Sequence, residues 1–176
     1  KTAGTKRSLA ITLGTGFGSA FLADRLPVVT GEDVPENGCV WHLPFESGNA
    51  DDYFSTRGFL NRFKQKTQIE LNGVKELAEL AEKSPVAKQL FDDFGYKLGL
   101  FLHPWMERFR VETLVMGGNI SHAFHLFGPS MQEYLIAHGN KVKLEISELK
   151  ESASMIGSAV LIDNSYFEKI KNLLPL

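Results

Sequence analysis

Residues 9–20 read Leu9-Ala10-Ile11-Thr12-Leu13-Gly14-Thr15-Gly16-Phe17-Gly18-Ser19-Ala20. Leu9 to Leu13 is a β-type run, Ser19 to Ala23 is a second, and glycine recurs at alternate positions between them. Glycine permits φ > 0 and a close backbone approach, so successive N–H groups can face one concavity and bind phosphate oxygens. The Thr15 hydroxyl adds a donor. The same spacing also makes a tight hairpin. The stretch is not a Walker A loop, because no Lys-Ser/Thr follows, nor a Rossmann turn, because no helix follows at once.

Working outward, Asp24-Arg25 reads as a hairpin turn and Leu26 to Thr30 as a third strand. Gly31 to Gly48 has prolines, carboxylates and no lasting periodicity, and reads as an irregular loop. Asn49 is placed to cap a helix from about Asp51 to Lys66, with Asp51 and Asp52 in the first turn where the helix dipole favours carboxylates. Val74, Leu77, Ala78 and Ala81 recur at helical spacing, with Glu76, Glu79 and Glu82 on the other face. Ser84-Pro85 opens a long helix whose apolar stripe is Leu90, Phe94, Leu98, Phe101, Trp105 and Phe109, and Pro104 inside it predicts a kink near Phe101 to His103.

Val111 to Met116 is a short apolar run closed by Gly117-Gly118-Asn119, after which Ser121 or a neighbour opens a helix to about His138. Strand, glycine turn and helix place free N–H groups where a nucleotide could sit, although an ordinary βα turn has the same pattern. Val142 to Ile146 reads as a strand, and Glu151 to Ile162 and Ser165 to Leu174 as closing helices. The summed order predicts an α/β fold, a β-meander followed by βα units with flanking helices.

Composition narrows the classes. A chain of 176 residues allows one domain or a pair of small lobes. Lys plus Arg is 19 and Asp plus Glu is 21, a net charge of -2, which argues against a cationic surface for nucleic acid or anionic lipid. Cys39 is the single cysteine, so no intramolecular disulfide forms, which suits a reducing cytoplasm. No apolar run is long enough to span a membrane. The start, Lys1 to Ser8, lacks an initiator Met and a signal-peptide core, so the chain is expected to begin within a longer protein.

Two glycine turns about a hundred positions apart, one in a β-hairpin and one in a βα unit, match how actin-like phosphotransferases grip a nucleotide. At these residues the sequence resembles the ROK (repressor, open reading frame, kinase) sugar kinases. Leu9 to Ala20 resembles the family's second phosphate motif, and Thr113-Leu114-Val115-Met116-Gly117-Gly118-Asn119-Ile120-Ser121 its adenosine-side motif. Ser154-Met155-Ile156-Gly157-Ser158-Ala159-Val160-Leu161 is similar to its small-residue helix near the end. The three lie in family order and span almost the whole chain.

The resemblance implies that residues 1–176 are a single C-terminal lobe of an actin/hexokinase-like (ribonuclease H-like) ATPase fold. The N-terminal lobe, with the first phosphate motif and the catalytic base, would lie outside this chain, which is then expected to be inactive alone. It further implies a cytoplasmic, homodimeric, glucokinase-like enzyme that moves a phosphoryl group from ATP, with Mg²⁺, to a hexose or N-acylhexosamine. Gly14, Thr15 and Gly16 would hold the β/γ-phosphates, and Gly117, Gly118 and Asn119 would line the adenosine side. Gly157 would let a helix pack against the cleft, or simply serve a helix crossing.

Asp51-Asp52-Tyr53-Phe54-Ser55 matches the family's Glu-x-x-x-Ser. Asp51 thus stands at a sugar-binding glutamate, one methylene shorter, or is only a first-turn helix carboxylate. Glu36 falls in the loop of the family's other sugar contacts, which Val34-Pro35-Glu36-Asn37-Gly38 matches poorly, or is a solvated loop acid. The family's zinc motif is reduced to Cys39 with His42 nearby, too few ligands, so no structural zinc and no other metal site is expected. His122 and His125 could share a helical face but have no third ligand and read as ordinary histidines. Trp41 and Phe45 either shield a sugar or pin the loop. Arg57, Arg62, Lys64 and Lys66 read as a solvated basic face. Two alternatives stand beside the kinase: the sugar-sensing effector domain of a ROK-type transcriptional regulator, and a kinase that uses polyphosphate.

Overall fold

A computed structural model describes residues 4–148 and 162–173. Strand β1 (Arg7–Leu13) buries Leu9, Ile11 and Leu13 on one face and leaves Thr12 exposed, the period of two expected for a sheet. It pairs antiparallel with β2 (Phe17–Ala23), from Arg7 opposite Ala23 to Leu13 opposite Phe17. Asp24 and Arg25 have φ of 48° and 70°, a left-handed pair whose twist suits a two-residue hairpin into β3 (Leu26–Pro27). The third strand stops at Pro27 rather than Thr30. Pro27 has no N–H to extend the ladder, and after the Val28 N–H donates to the Phe21 carbonyl at 2.8 Å the chain leaves the sheet.

The stretch read as an irregular loop is only partly so. It holds a 3₁₀ turn at Glu36–Gly38 and a small hairpin of β4 (Pro44–Phe45) and β5 (Gly48–Asn49). The Ser19 hydroxyl donates to the Gly38 carbonyl (2.7 Å) and accepts from the Val40 N–H (3.1 Å), while Val34, Val40 and Phe45 are buried. The loop is thus pinned to β2 by these contacts.

Asn49 caps helix α1 (Ala50–Phe54) in a reciprocal box with Asp52. The single helix expected over Asp51 to Lys66 is two, because Ser55, at ψ 162°, ends α1 and caps α2 (Thr56–Thr67), its hydroxyl accepting from the Gly58 N–H. A Cβ on Gly58 would lie 1.9 Å from the Asp52 carbonyl oxygen, so the sharp corner between the helices requires glycine there. The break frees the Thr56 N–H to donate to the Gly14 carbonyl at 2.7 Å, docking α2 on the first glycine turn.

Helices α3 (Val74–Ala81) and α4 (Pro85–Phe109) follow as their periodicities predict, with the Ser84 hydroxyl capping α4 and Pro104 inside it. Strand β6 (Thr113–Gly117), a 3₁₀ turn at Asn119–Ala123, helix α5 (Phe124–Ala137), strand β7 (Lys143–Ile146) and helix α6 (Asn164–Ile170) complete the described chain. The α5 helix starts three residues beyond Ser121, the 3₁₀ turn taking up the difference. The helix expected over Glu151 to Ile162, with Gly157, lies outside the described residues but for its last position.

The sheet order is β3-β2-β1-β6-β7, antiparallel through the meander and parallel from β1 through β6 to β7. This is the expected α/β arrangement with an antiparallel flank. The stripe on α4 is core except at Trp105, which is half-buried under Arg108. Phenylalanines tie the layers together: Phe54 of α1 contacts Phe17, Phe45, Phe94 and Phe101, and Phe94 stacks on Phe59 and meets Phe127 edge-on. Each such side chain removed from water stabilises the fold by roughly 1.5–3 kcal/mol. Phe17 begins directly after the glycine turn, so the turn stands on this cluster. Among the described residues no helix is long and apolar enough to cross a membrane.

Candidate functional site

Because β1 and β6 are parallel neighbours, with Thr12 beside Gly117, their carboxyl ends bring both glycine turns to one edge of the sheet. Gly118 has φ 85°, and a Cβ there would lie 2.4 Å from the Leu13 carbonyl oxygen, so the backbones of the two turns touch. The Gly14 N–H donates to the Gly16 carbonyl (3.2 Å), closing the turn on itself. No hydrogen bond among the described residues uses the N–H of Thr15 or Gly16, and both residues are exposed. Two backbone donors and one hydroxyl therefore stand ready for an anion.

Two cavities flank this turn. The larger, about 600 Å³, is lined by Thr15 and Thr56, by Asn119, His122 and His125 after β6, and by the start of α3 including Lys75. Its lining has three nitrogen bases and no carboxylate. The smaller, about 460 Å³, is a shallow, widely open depression lined by Thr12, Gly16, Phe17, Gly18, Trp41 and Asp51. Thr15 belongs to one cavity and Gly16 to the other, so the turn is the wall between them.

Asp51 is the one titratable side chain in the smaller cavity. Its Oδ1 accepts from the Phe17 N–H at 2.7 Å and its Oδ2 pairs with Arg57 at 3.2 Å. It couples the far end of the glycine turn to the α1–α2 corner while keeping about a fifth of its side chain exposed. A carboxylate oxygen has two lone pairs, so an acceptor site remains on each oxygen toward the cavity.

The structure brings Gly14, Thr15, Gly16, Gly117, Gly118, Asn119 and Asp51 to this one edge. Glu36 is exposed on its 3₁₀ turn and lines neither cavity. Among the described residues no group of three or more His, Cys, Asp or Glu side chains could hold a metal ion. In the basic run on α2, Arg57, Lys64 and Lys66 are exposed as a solvated face requires, and Arg62 departs from it. Arg57 holds Asp51, Lys66 pairs with Asp93 at 3.7 Å, and Arg62 is largely buried, its guanidinium over the Tyr53 and Phe59 rings and bonded to the Tyr53 carbonyl. Burial pushes the Arg62 pKa down from its ordinary value, opposed by the Tyr53 hydroxyl and by Glu46 and Asp93.

Sequence reasoning set aside His122 and His125, which the structure places on the wall of the larger cavity, and it missed Thr12, Thr56 and Lys75. The histidines did carry a signal. They stand three apart in the first helical turns after a glycine turn, the part of a βα unit that faces a ligand at the sheet edge.

No curated protein matches the sequence. Among solved structures, the ROK hexokinase from Thermus thermophilus superposes with a TM-score of 0.77 at 19% identity, over 98% of this chain and 60% of its own. A ROK family glucokinase from Streptomyces griseus, solved with glucose and AMPPNP, gives 0.72 at 18%, over 90% of this chain and 61% of its own. A ROK family transcriptional regulator, a homologue of the E. coli MLC protein, gives 0.77 at 19%, over 94% of this chain and 48% of its own. The chain thus spans from about half to three fifths of the length of these structures and has the actin-like fold of ROK and hexokinase-type kinases. With the ROK family model matching residues 1–165 as well, this chain belongs to the ROK family.

Proposed function

We propose that the chain is a nucleotide- and sugar-binding lobe of an ATP-dependent sugar kinase that phosphorylates a hexose or N-acylhexosamine hydroxyl. One observation carries this reading: the Gly14–Gly16 turn is the common wall of two cavities, with Thr15 facing one and Gly16 and Asp51 the other. Thr15 and Gly16 are consecutive, so a donor phosphate held on their N–H groups would lie next to an acceptor beside Asp51. Phosphoryl transfer asks little covalent chemistry of a protein and depends on positioning and charge neutralisation.

In this reading the Thr15 and Gly16 N–H groups and the Thr15 hydroxyl bind phosphate oxygens. Gly117, Gly118 and Asn119 line the adenosine side, and Lys75 adds positive charge within the larger cavity. Mg²⁺, when bound with ATP, would neutralise phosphate charge, and among the described residues no carboxylate cluster would hold it apart from the nucleotide. Asp51 receives sugar hydroxyls. Its oxygens are already engaged with Phe17 and Arg57, which suits a positioning group better than a proton acceptor. The general base is proposed to come from a second lobe outside residues 1–176, and the chain alone is expected to show no turnover. Glu36 stands outside both linings, so the sugar-contact proposal rests on Asp51.

The similarity to a ROK transcriptional regulator favours a second reading, a sugar-sensing effector domain. A coupled assay of ADP release across hexoses and N-acylhexosamines, on the full-length protein, separates the two. ADP release with at least one sugar supports the kinase. Sugar binding without turnover supports the regulator, and absence of both binding and turnover sinks both readings. Competition between ATP and polyphosphate in the same assay identifies the donor.

A further inference from the structure

We infer that Trp41 is a stacking platform for the ring of the sugar acceptor, which makes it a specificity-determining residue. The inference rests on the reading of the Trp41–Asp51 cavity as the acceptor site.

The loop before α1 carries two large aromatic side chains with opposite placements. Phe45 is 9% exposed and packs against Tyr53, Phe54 and Phe101, so it holds the loop to the core. Trp41 is 51% exposed and is neither in the core nor among the partly buried side chains packed on it. Among the described residues its one ring neighbour is His42, itself exposed, at 5.3 Å. An indole half in water adds little burial energy, so pinning the loop does not explain it.

Its backbone is nonetheless held. The Trp41 carbonyl accepts from the Asp51 N–H at 3.0 Å, and the preceding Val40 is fully buried and tied to Ser19. Trp41 is therefore fixed in the cavity lining beside the one carboxylate there. Phe17, Thr12 and the glycines Gly16 and Gly18 complete the lining.

A pyranose has hydroxyls around its edge and C–H bonds on its faces. The negative face of an aromatic ring attracts such polarised C–H bonds, and tryptophan offers the largest rigid face for the fewest rotatable bonds. Asp51 and Thr12 suit the hydroxyl edge and Trp41 suits the C–H face. The pair selects a closed sugar ring over an open-chain polyol with equally many hydroxyls.

The test uses the full-length protein and calorimetric titration with glucose, mannose, N-acetylglucosamine and the open-chain sorbitol, with ATP affinity measured in parallel. The variants are Trp41→Ala, Trp41→Leu, Trp41→Phe and, as a control, Asp51→Asn. For the tightest sugar, Trp41→Ala and Trp41→Leu are expected to weaken binding about tenfold and Trp41→Phe by about threefold or less, in line with aromatic stacking energies. ATP affinity should hold, and sorbitol should bind weakly and without regard to position 41. If Asp51→Asn weakens sugar binding and Trp41→Ala does not, the platform is overturned while the acceptor cavity stands. Recovery by leucine as complete as by phenylalanine also overturns it, because bulk alone would then suffice. If no sugar binds the wild-type protein, the acceptor-site reading and the platform fall together.

Discussion

Gly118 rests on Leu13: a Cβ on the glycine would sit 2.4 Å from the leucine carbonyl oxygen and 2.8 Å from its nitrogen. This contact joins the two glycine turns, which are about a hundred residues apart in the chain, into one structure. Gly118→Ala meets both a backbone clash and a left-handed φ of 85°, and is expected to cost about 2–4 kcal/mol. Gly14→Ala is the matched control, with no atom near the added methyl and no positive φ, and its cost is expected within about 0.5 kcal/mol. Thermal unfolding of both variants checks the pair, and equal melting points would contradict the contact.

Gly16 faces the acceptor side of the turn, where an added Cβ would lie 3.4 Å from Asp51 Oδ1. Alanine there makes an ordinary contact, whereas the extra methyls of valine press on the carboxylate. Gly16→Val in the full-length protein is expected to fold and to lose sugar phosphorylation, with sugar affinity falling more than ATP affinity. Separate titrations of the two ligands decide it, and a loss confined to ATP would show that the added methyls meet the phosphate on the Gly16 N–H rather than the acceptor beside Asp51.

Thr15→Val removes a hydroxyl from the larger cavity while keeping the shape of the side chain. If that hydroxyl binds a phosphate oxygen, ATP affinity should drop by roughly ten- to thirtyfold, the worth of a hydrogen bond to a charged group at the lower end of its range. Sugar affinity should be unchanged. Isothermal titration with ATP reads the effect directly.

Asp51→Asn keeps an oxygen for the Phe17 N–H but weakens the attraction to Arg57. Stability should change by about 1 kcal/mol or less, because the ion pair is exposed on the arginine side. Sugar affinity should fall with ATP affinity intact. Asp51→Ala leaves the Phe17 N–H without its acceptor and should cost about 1–3 kcal/mol, seen as a lower denaturant midpoint.

Gly58→Ala tests the corner between α1 and α2. With the Asp52 carbonyl oxygen 1.9 Å from the added Cβ, the corner must open, and the Thr56 bond to Gly14 opens with it. A loss of about 3 kcal/mol is expected, with lower affinity for both ligands, since α2 supports the turn between them. Differential scanning calorimetry beside ligand titration checks both parts.

Much of this architecture is written in local patterns. The alternation of Leu9, Ile11 and Leu13, the Asp24-Arg25 turn, the Asn49 and Ser84 caps and the α4 stripe each depend on neighbours within a few residues, and each appears where the pattern puts it. Departures arise where distant groups compete. Ser55 looks like a helix interior position, but the free Gly14 carbonyl across the fold takes the Thr56 N–H and the helix breaks there. Arg62 looks like one charge in a solvated run, but Tyr53 and Phe59 from the aromatic layer cover it.

The same division holds at the candidate site. The residue types that can cradle an anion, glycines at alternate positions with a hydroxyl between them, are properties of the sequence alone, because backbone freedom at glycine is local. Which cavity each residue faces was decided only by tertiary structure. Parallel pairing of β1 with β6 brings Gly118 onto Leu13 and His122 to the first glycine turn, while separate contacts bring Lys75 to one cavity and Trp41 to the other. A cavity is a relation between surfaces, and chain spacing does not encode it.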